Sequence, residues 1–296
     1  MFQDLIERKL VKGNTVGELT IYKYARKVFY DNLWDTDKRL LDARGMVLDQ
    51  DGNKVIWPFT KVFNYGENNT TFDQCRKVQV IRKVNGFMAS ARWYKGEVIV
   101  STTGSLNSDF VTMAKETLNE TLPLSCVLWT SLKDYTLLFE ICHENDPHIV
   151  DEIPGAYLIG MREMSSGRMM SESFCDWVAV KGGFHRPQHY IGEFGNVVAV
   201  SKFEQHEGFM IRDVDTGEHL MKIKTVHYLT KKFLMRAACQ KLKQLWEDKE
   251  SFIKNIDEEF YSICDRILET FDSVEKWSSL TQQEKKNFIG KFYESS

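Results

Sequence analysis

Lys83 ends an apolar run, Val80-Ile81-Arg82, and is followed two and three residues on by Asn85-Gly86 and a second strand-like run. A lysine at the end of a strand can act as a nucleophile only while its amine is neutral. With an unperturbed pKa of about 10.4, neutrality at pH 7 costs about 4.6 kcal/mol. A second cation within about 4 Å supplies roughly 4 kcal/mol in that direction at an effective dielectric near 20, and desolvation adds to it. A nucleophilic Lys83 therefore requires cations close by. Lys222-Ile223-Lys224 offers two, because alternation along a strand puts both lysines on one face. Glu140 lies in the apolar run Leu137-Leu138-Phe139-Glu140-Ile141. An unpaired carboxylate there costs several kcal/mol, so it needs a metal or a basic partner. Arg44-Gly45, Lys61 with Phe63-Asn64, and Glu207-Gly208-Phe209 complete the set of candidate pieces.

The elements that must position them read as antiparallel strands with a few helices. Residues 1 to about 12 suggest a short helix, and Leu19 to Tyr24 an alternating strand. Asp51-Gly52-Asn53 between two apolar runs predicts a hairpin over 44–57. The Lys83 strand, a second strand through Arg92-Trp93-Tyr94, the Lys95-Gly96 turn and Val98 to Ser101 read as one antiparallel meander. Ser108-Asp109 starts a helix with Val111, Ala114 and Leu118 on one face. Strands follow at 137–141 and 156–161, a short amphipathic helix at 172–180, and a last hairpin at 208–224. This pattern predicts an α+β fold rather than a doubly wound one. From about Tyr228 the texture becomes helical. Leu234, Ala238, Leu242 and Leu245 form one stripe, with Lys232, Arg236 and Lys243 on another face, which reads as a phosphate-binding surface or a solvated one. A second helix carries Phe252, Ile256, Phe260, Ile263, Ile267 and Phe271, and a third opens on the capping box Thr281 to Glu284. The division is thus 1–228 and 229–296.

With 296 residues, 43% of them hydrophobic, the chain can build a substantial core. It has no apolar run of the eighteen or so residues that span a bilayer, and its first residues lack a signal-peptide pattern, so a cytoplasmic protein is expected. The six cysteines are scattered without CxxC, which predicts reduced thiols rather than disulfides or zinc. A net charge of -3 argues against nonspecific coating of nucleic acid but leaves room for a local basic groove.

In order and content, Arg44-Gly45, Lys61 with Phe63-Asn64, Lys83-x-Asn85-Gly86, Phe139-Glu140, Glu207-Gly208-Phe209 and Lys222-Ile223-Lys224 resemble the covalent nucleotidyltransferase superfamily of polynucleotide ligases and capping enzymes. Within it they look most like the bacteriophage-type RNA ligase 1 family, with the ligase domain of fungal tRNA ligases as a cousin. The resemblance covers residues 19 to 230 and includes Tyr228, six residues past Lys222. It implies an antiparallel-sheet nucleotidyltransferase (ATP-grasp-like ligase) domain followed by a small helical domain. It implies ATP as AMP donor, Mg²⁺ or Mn²⁺, and sealing of RNA 5′-phosphate and 3′-hydroxyl ends through lysyl-AMP.

Carried over residue by residue, Lys83 becomes the adenylated residue, and Lys222 and Lys224 meet the triphosphate while lowering the Lys83 pKa. Glu140 and Glu207 organise the metal. Tyr24, Arg44, Lys61, Phe63, Asn85, Gly86, Gly208 and Tyr228 line or shape the nucleotide site. The implied partners are RNA, tRNA included, and an end-healing kinase and phosphatase, with the ligase itself a monomer in the cytoplasm, that of a host if viral. Two departures stand out: Asn85 replaces the commoner aspartate, and Thr103 stands where relatives carry a lysine before Gly104. They leave open a non-catalytic RNA-binding relative. A DNA ligase or capping enzyme is the other alternative, although the residues after Lys224 read as helices rather than as an OB-fold.

Overall fold

The computed structural model describes residues 1–146, 148–236 and 239–295. In chain order its strands are β1 (Val11–Val16), β2 (Leu19–Tyr24), β3 (Arg44–Leu48), β4 (Lys54–Ile56), β5 (Lys77–Lys83), β6 (Phe87–Tyr94), β7 (Glu97–Thr102), β8 (Tyr135–Cys142), β9 (Gly155–Glu163), β10 (His189–Glu193), β11 (Gly208–Asp213) and β12 (His219–Lys224). Among the described residues they form three antiparallel sheets, ordered β1-β2-β3-β4, β10-β5-β11-β12 and β7-β6-β8-β9. The hairpins at β3-β4 and β11-β12 form where the turn residues predict them. The N-terminal helix is shorter than expected, Gln3–Glu7, and Val11–Val16 pairs with β2 instead of continuing it.

One expectation needs correction at the point that matters most. The Lys83 strand and the strand after it are not neighbours in a meander: β5 pairs with β10 and β11, whereas β6 pairs with β7 and β8. Val84-Asn85-Gly86 is the step from one sheet to the other. Two constraints set that step. Gly86 approaches β8 so closely that a Cβ there would lie 2.3 Å from the Ile141 carbonyl oxygen. The buried Asn85 amide is held from both sides, Nδ2 donating to Glu207 Oε2 at 2.9 Å and Oδ1 accepting from the Val150 N–H at 3.0 Å. Alternation in a sequence reports a strand's faces but not its partners.

The two sheets each bury one face. Val78, Val80, Ile211 and Met221 pack with Phe194 and Val197 of the helix Phe194–Ser201. Ala89, Val100, Phe139 and Ile141 pack with the helices Asp109–Thr121 and Glu172–Gly182. Their other faces look toward each other. On β5-β11-β12, Lys83 is opposite Gly208 and Gly208 opposite Lys224, while Ile81, Met210 and Lys222 form the next row on the same face. On β8, Glu140 points away from the core that receives Phe139 and Ile141. A row of lysines and a buried glutamate thus face a common space.

After β12 the chain enters the helices Val226–Arg236, Cys239–Glu247, Lys249–Ile253, Tyr261–Thr270, Val274–Ser279 and Gln282–Ser295. Tyr228, Phe233, Leu242, Phe252, Ile263, Ile267 and Trp277 share their core. The first helix begins at Val226, ahead of the expected boundary at 229; Ala238 and the side chain of Arg236 lie outside the described residues. The Thr281 capping box forms, with Thr281 N–H donating to Glu284 Oε2 at 2.7 Å and Glu284 N–H to Thr281 Oγ1 at 3.2 Å. The second tail helix is not continuous over 252–271 as its apolar spacing suggests. It stops at Ile253 and resumes through a 3-10 turn, Glu258–Phe260. The break turns Glu259 inward, onto Lys232 at 2.6 Å, while the more exposed Asp257 reaches Lys232 at 2.9 Å, an arrangement apolar periodicity cannot encode. No described helix is long and apolar enough to cross a membrane.

Gly208 has φ +152°, and a Cβ on it would lie 2.0 Å from the Ile223 carbonyl oxygen, whereas Gly52, also at positive φ, has open space around it. Gly208→Ala is therefore expected to cost at least about 2 kcal/mol more than Gly52→Ala. The shift in urea midpoint of the two variants measures the difference, and equal midpoints would contradict this packing.

Candidate active site

The space between the two sheets is a cavity of about 320 Å³, within the range of small-molecule sites. Phe59, Val62, Ile81, Met88, Ile159 and Met210 give it apolar walls, and Arg44, Lys83, Lys222 and Glu140 give it charge. Gly86 and Thr103 also line it.

Lys83 Nζ donates to Glu207 Oε2 at 2.9 Å, and the Asn85 amide donates to the same oxygen. Glu140 Oε1 accepts the Gly86 N–H at 3.1 Å. Burial disfavours the Lys83 ammonium, yet Glu207 and Glu140 outweigh it and hold its pKa above the ordinary lysine value. The expected depression by Lys222 and Lys224 is thus corrected. Two strand spacings separate Lys83 from Lys224 along the sheet, and cations roughly 10 Å apart interact by only about 2 kcal/mol at a dielectric near 20. A carboxylate oxygen at 2.9 Å exerts about 6 kcal/mol on the same footing. Lys83 therefore rests as an ammonium. Burial pushes the Glu140 pKa up despite Lys83, whereas for Glu207 the ammoniums of Lys83 and Lys224 outweigh burial and hold it down.

The remaining expected residues fall into three groups. Arg44 and Lys222 line the cavity and also a second, smaller pocket beside it, which Tyr24, Lys61 and Lys224 line as well. Lys222 is fixed by its backbone, its N–H donating to the Phe63 carbonyl and its carbonyl accepting from Tyr65 N–H, each at 2.9 Å. Lys61 Nζ sits between Phe29, Trp34 and Phe63 at 5.3, 5.1 and 5.3 Å from the ring centres. Phe63 makes this contact from the edge of the core that buries Val11, Trp34 and Met46, and does not line the cavity. Gly208 makes room between the lysine rows, and Tyr228 is buried in the tail core with Lys224 Nζ 5.3 Å from its ring. Asn85 and Glu207 stand behind Lys83 rather than on the cavity wall.

Sequence reasoning missed Glu259 and Lys23, and left Lys232 between a phosphate-binding face and a solvated one. Glu259 accepts from Lys224 Nζ at 2.5 Å and from Lys232 Nζ at 2.6 Å, and Lys232 is buried rather than solvated. Lys23 of β2 lies against Gly104, its Nζ 3.3 Å from where a Cβ would be. Partial burial and the nearby Arg44 lower its pKa. Lys23 therefore places a cation beside Thr103. No local motif marks Glu259 or Lys23.

A family model described as RNA ligase matches residues 42–246. The chain belongs to the RNA ligase family. No curated protein matches it in sequence. Among solved structures, an archaeal ATP-dependent RNA ligase is similar with a TM-score of 0.62 and 13% identity, over 98% of this chain and 76% of that one. A putative ATP-dependent DNA ligase from Aquifex aeolicus is similar with a TM-score of 0.60 and 13% identity, over 98% and 77%. At such identity the likeness concerns the fold, which is that of nucleotidyltransferase ligases. In this RNA ligase the match takes in both cavity-forming sheets and the first tail helices, Glu259 lying beyond it.

The Glu259 carboxyl is held down at about 2, with Lys224 and Lys232 outweighing its burial. A lowered carboxylate stabilises the fold fully above its unfolded value of 4.5 and loses that contribution as pH falls toward about 2. Glu259→Gln should therefore be less stable than wild type at pH 7, with the gap closing between pH 4.5 and 2. Denaturant titrations across that range measure it; a gap constant with pH would mean the ion cluster contributes nothing.

Proposed function

We propose that this RNA ligase uses ATP to join an RNA 5′-phosphate to a 3′-hydroxyl through a covalent lysyl-AMP on Lys83. The observation that carries the reading is the half-buried Lys83 amine, 2.9 Å from Glu207, on the wall of a cavity that is apolar on one side and cationic on the other. The apolar walls suit a base and ribose; Arg44 and Lys222 suit phosphates. Before attack Nζ gives up a proton, for which Glu207 Oε2 is the nearest acceptor. Its lone pair then forms a bond to the α-phosphorus of ATP while the bond to the bridging oxygen breaks, and pyrophosphate leaves with that electron pair. An oxygen of the RNA 5′-phosphate next takes the adenylyl group, the P–N bond breaks, and Lys83 recovers a proton. The 3′-hydroxyl finally attacks the 5′-phosphorus, loses its proton, and expels AMP.

Among the described residues no cluster of three or more metal-ligating side chains occurs. A magnesium or manganese ion held by one carboxylate together with phosphate oxygens and water fits that finding, and Glu140 is the carboxylate on the cavity wall. Such an ion would neutralise phosphate charge as pyrophosphate departs. Glu207, expected as a second ligand, is engaged by Lys83 and Asn85 instead. By the same reading, 1–228 is an adenylyltransferase unit and 229–296 a helical one. The enzyme works as a cytoplasmic monomer on broken RNA, tRNA included, whose ends a kinase and phosphatase have prepared.

With magnesium and α-labelled ATP the protein should acquire acid-labile label that survives denaturation and is absent in Lys83→Ala. Label from GTP alone would indicate capping chemistry, and no label from either nucleotide would leave RNA binding without catalysis. Because Glu207 Oε2 receives the Lys83 proton within the site, the resting and reactive states hold the same number of protons, and the rate of self-adenylation should change less than about twofold between about pH 6 and 8. A climb of about tenfold per pH unit over that interval would mean that the proton leaves to solvent before attack, and would contradict Glu207 as its acceptor.

A further inference from the structure

The cavity has a second end, away from Lys83, and one polar side chain there takes no part in the adenylation chemistry. On β11, Gly208 marks the Lys83 row and Arg212 the row that includes His219 of β12, roughly 13 Å further along the strand. His219 reaches the cavity through an irregularity of register. Ile211 pairs with Met221 and Arg212 with His219, so Leu220 is an extra residue, a β-bulge. Strict alternation would send His219 to the core face with Met221 and Ile223; the bulge gives that face Leu220 and turns His219 onto the cavity wall. Phe59 holds the imidazole in a T-shaped contact, with ring centres 4.6 Å apart and planes at 78°, and itself packs with Met88 and Ile159. Among the described residues nothing hydrogen-bonds to the two nitrogens of this half-buried ring. Lys83 and Glu140, by contrast, are both engaged. A polar group turned into a cavity with apolar walls, and left without a protein partner, is set to meet a ligand.

We propose that His219 reads the nucleobase of the bound nucleotide, its bare ring nitrogen accepting a hydrogen bond from the exocyclic 6-amino group of adenine. The proposal rests on the adenylation reading above and names the contact that selects the base. With the α-phosphate at Lys83, the nucleoside lies across the row of Ile81 and Met210, and its base arrives beside Phe59 and His219. A neutral imidazole carries one N–H and one bare nitrogen, whereas an imidazolium has two donors and no acceptor. Burial and the guanidiniums of Arg212, Arg162 and Arg44 hold the His219 pKa well below the ordinary histidine value, so the accepting form is the one present at pH 7. A purine lacking the amino group leaves that nitrogen unpaired in the cavity wall. A 6-oxo purine brings a second lone pair to it, which the ring can meet only by shifting its proton.

Self-adenylation with ATP and with purine riboside 5′-triphosphate, which lacks only the 6-amino group, tests the contact. In the wild type the second-order rate constant should favour ATP about tenfold. In His219→Phe, which keeps a ring packed on Phe59, the preference should fall to about twofold or less, whereas His219→Gln, whose amide oxygen can accept the same hydrogen bond, should keep most of it. Equal losses for both nucleotides in His219→Phe, with the preference intact, would mean that the ring only packs, and would overturn the proposal. Binding of AMP and of purine riboside 5′-monophosphate, followed by calorimetry, gives a readout that needs no chemistry. AMP should bind the wild type at least about fivefold more tightly, and His219→Phe should bind the two alike. If the wild type forms no lysyl adenylate yet shows this His219-dependent preference, the adenylation reading fails while the base contact stands. A wild type that adenylates itself without distinguishing the two nucleotides overturns the base contact alone.

Discussion

One ion pair, half-buried Lys83 with buried Glu207, sits where the chain passes between its two central sheets. Removing an ammonium and a carboxylate from water is expensive, and such a pair persists only when further hydrogen bonds satisfy the remaining atoms. Here the Asn85 amide shares Glu207 Oε2, and its other end anchors the backbone at Val150. The crossover and the charge pair therefore depend on each other. Without the crossover, Lys83 would not face a cavity built from both sheets.

From this pair a chain of alternating charge extends in both directions. Glu140 lies on one side of Lys83; on the other, Glu207 feels Lys224 and Lys232, which Glu259 holds together. Asp257 closes the sequence on Lys232. Gly208 makes the alternation possible, because a side chain between Lys83 and Lys224 would collide with β12. In such a chain each charge compensates two neighbours, so removing one member exposes others. The helical tail, which shares this network, is thereby tied electrostatically to the Lys83 amine.

On the proposed reading, the same arrangement would let one amine be both safely stored and reactive. As an ammonium it is stable and unreactive beside two carboxylates. A nucleophile requires the proton to leave, and the carboxylate that stores the charge is also within reach to receive it. On the proposed reading, storage and release would thus use one contact.

Much of this was legible in the chain. The strands carrying Lys83, Glu140 and Lys222 follow from alternation, the β3-β4 and β11-β12 hairpins from their Asp and Gly turns, and the Thr281 cap from its spacing; these are local properties, set by backbone preference and side-chain direction. That Lys222 and Lys224 share a face is equally local. Which sheet β5 joins is not, because strand pairing is decided by packing across the whole domain. Neither is the protonation of Lys83, which a carboxylate 124 residues distant determines, nor the inward turn of Glu259, which depends on amines waiting in another element. The sequence by itself determined which chemistry the side chains could perform. Only the tertiary structure decided which charges meet, since Coulomb energy depends on separation through space and not along the chain.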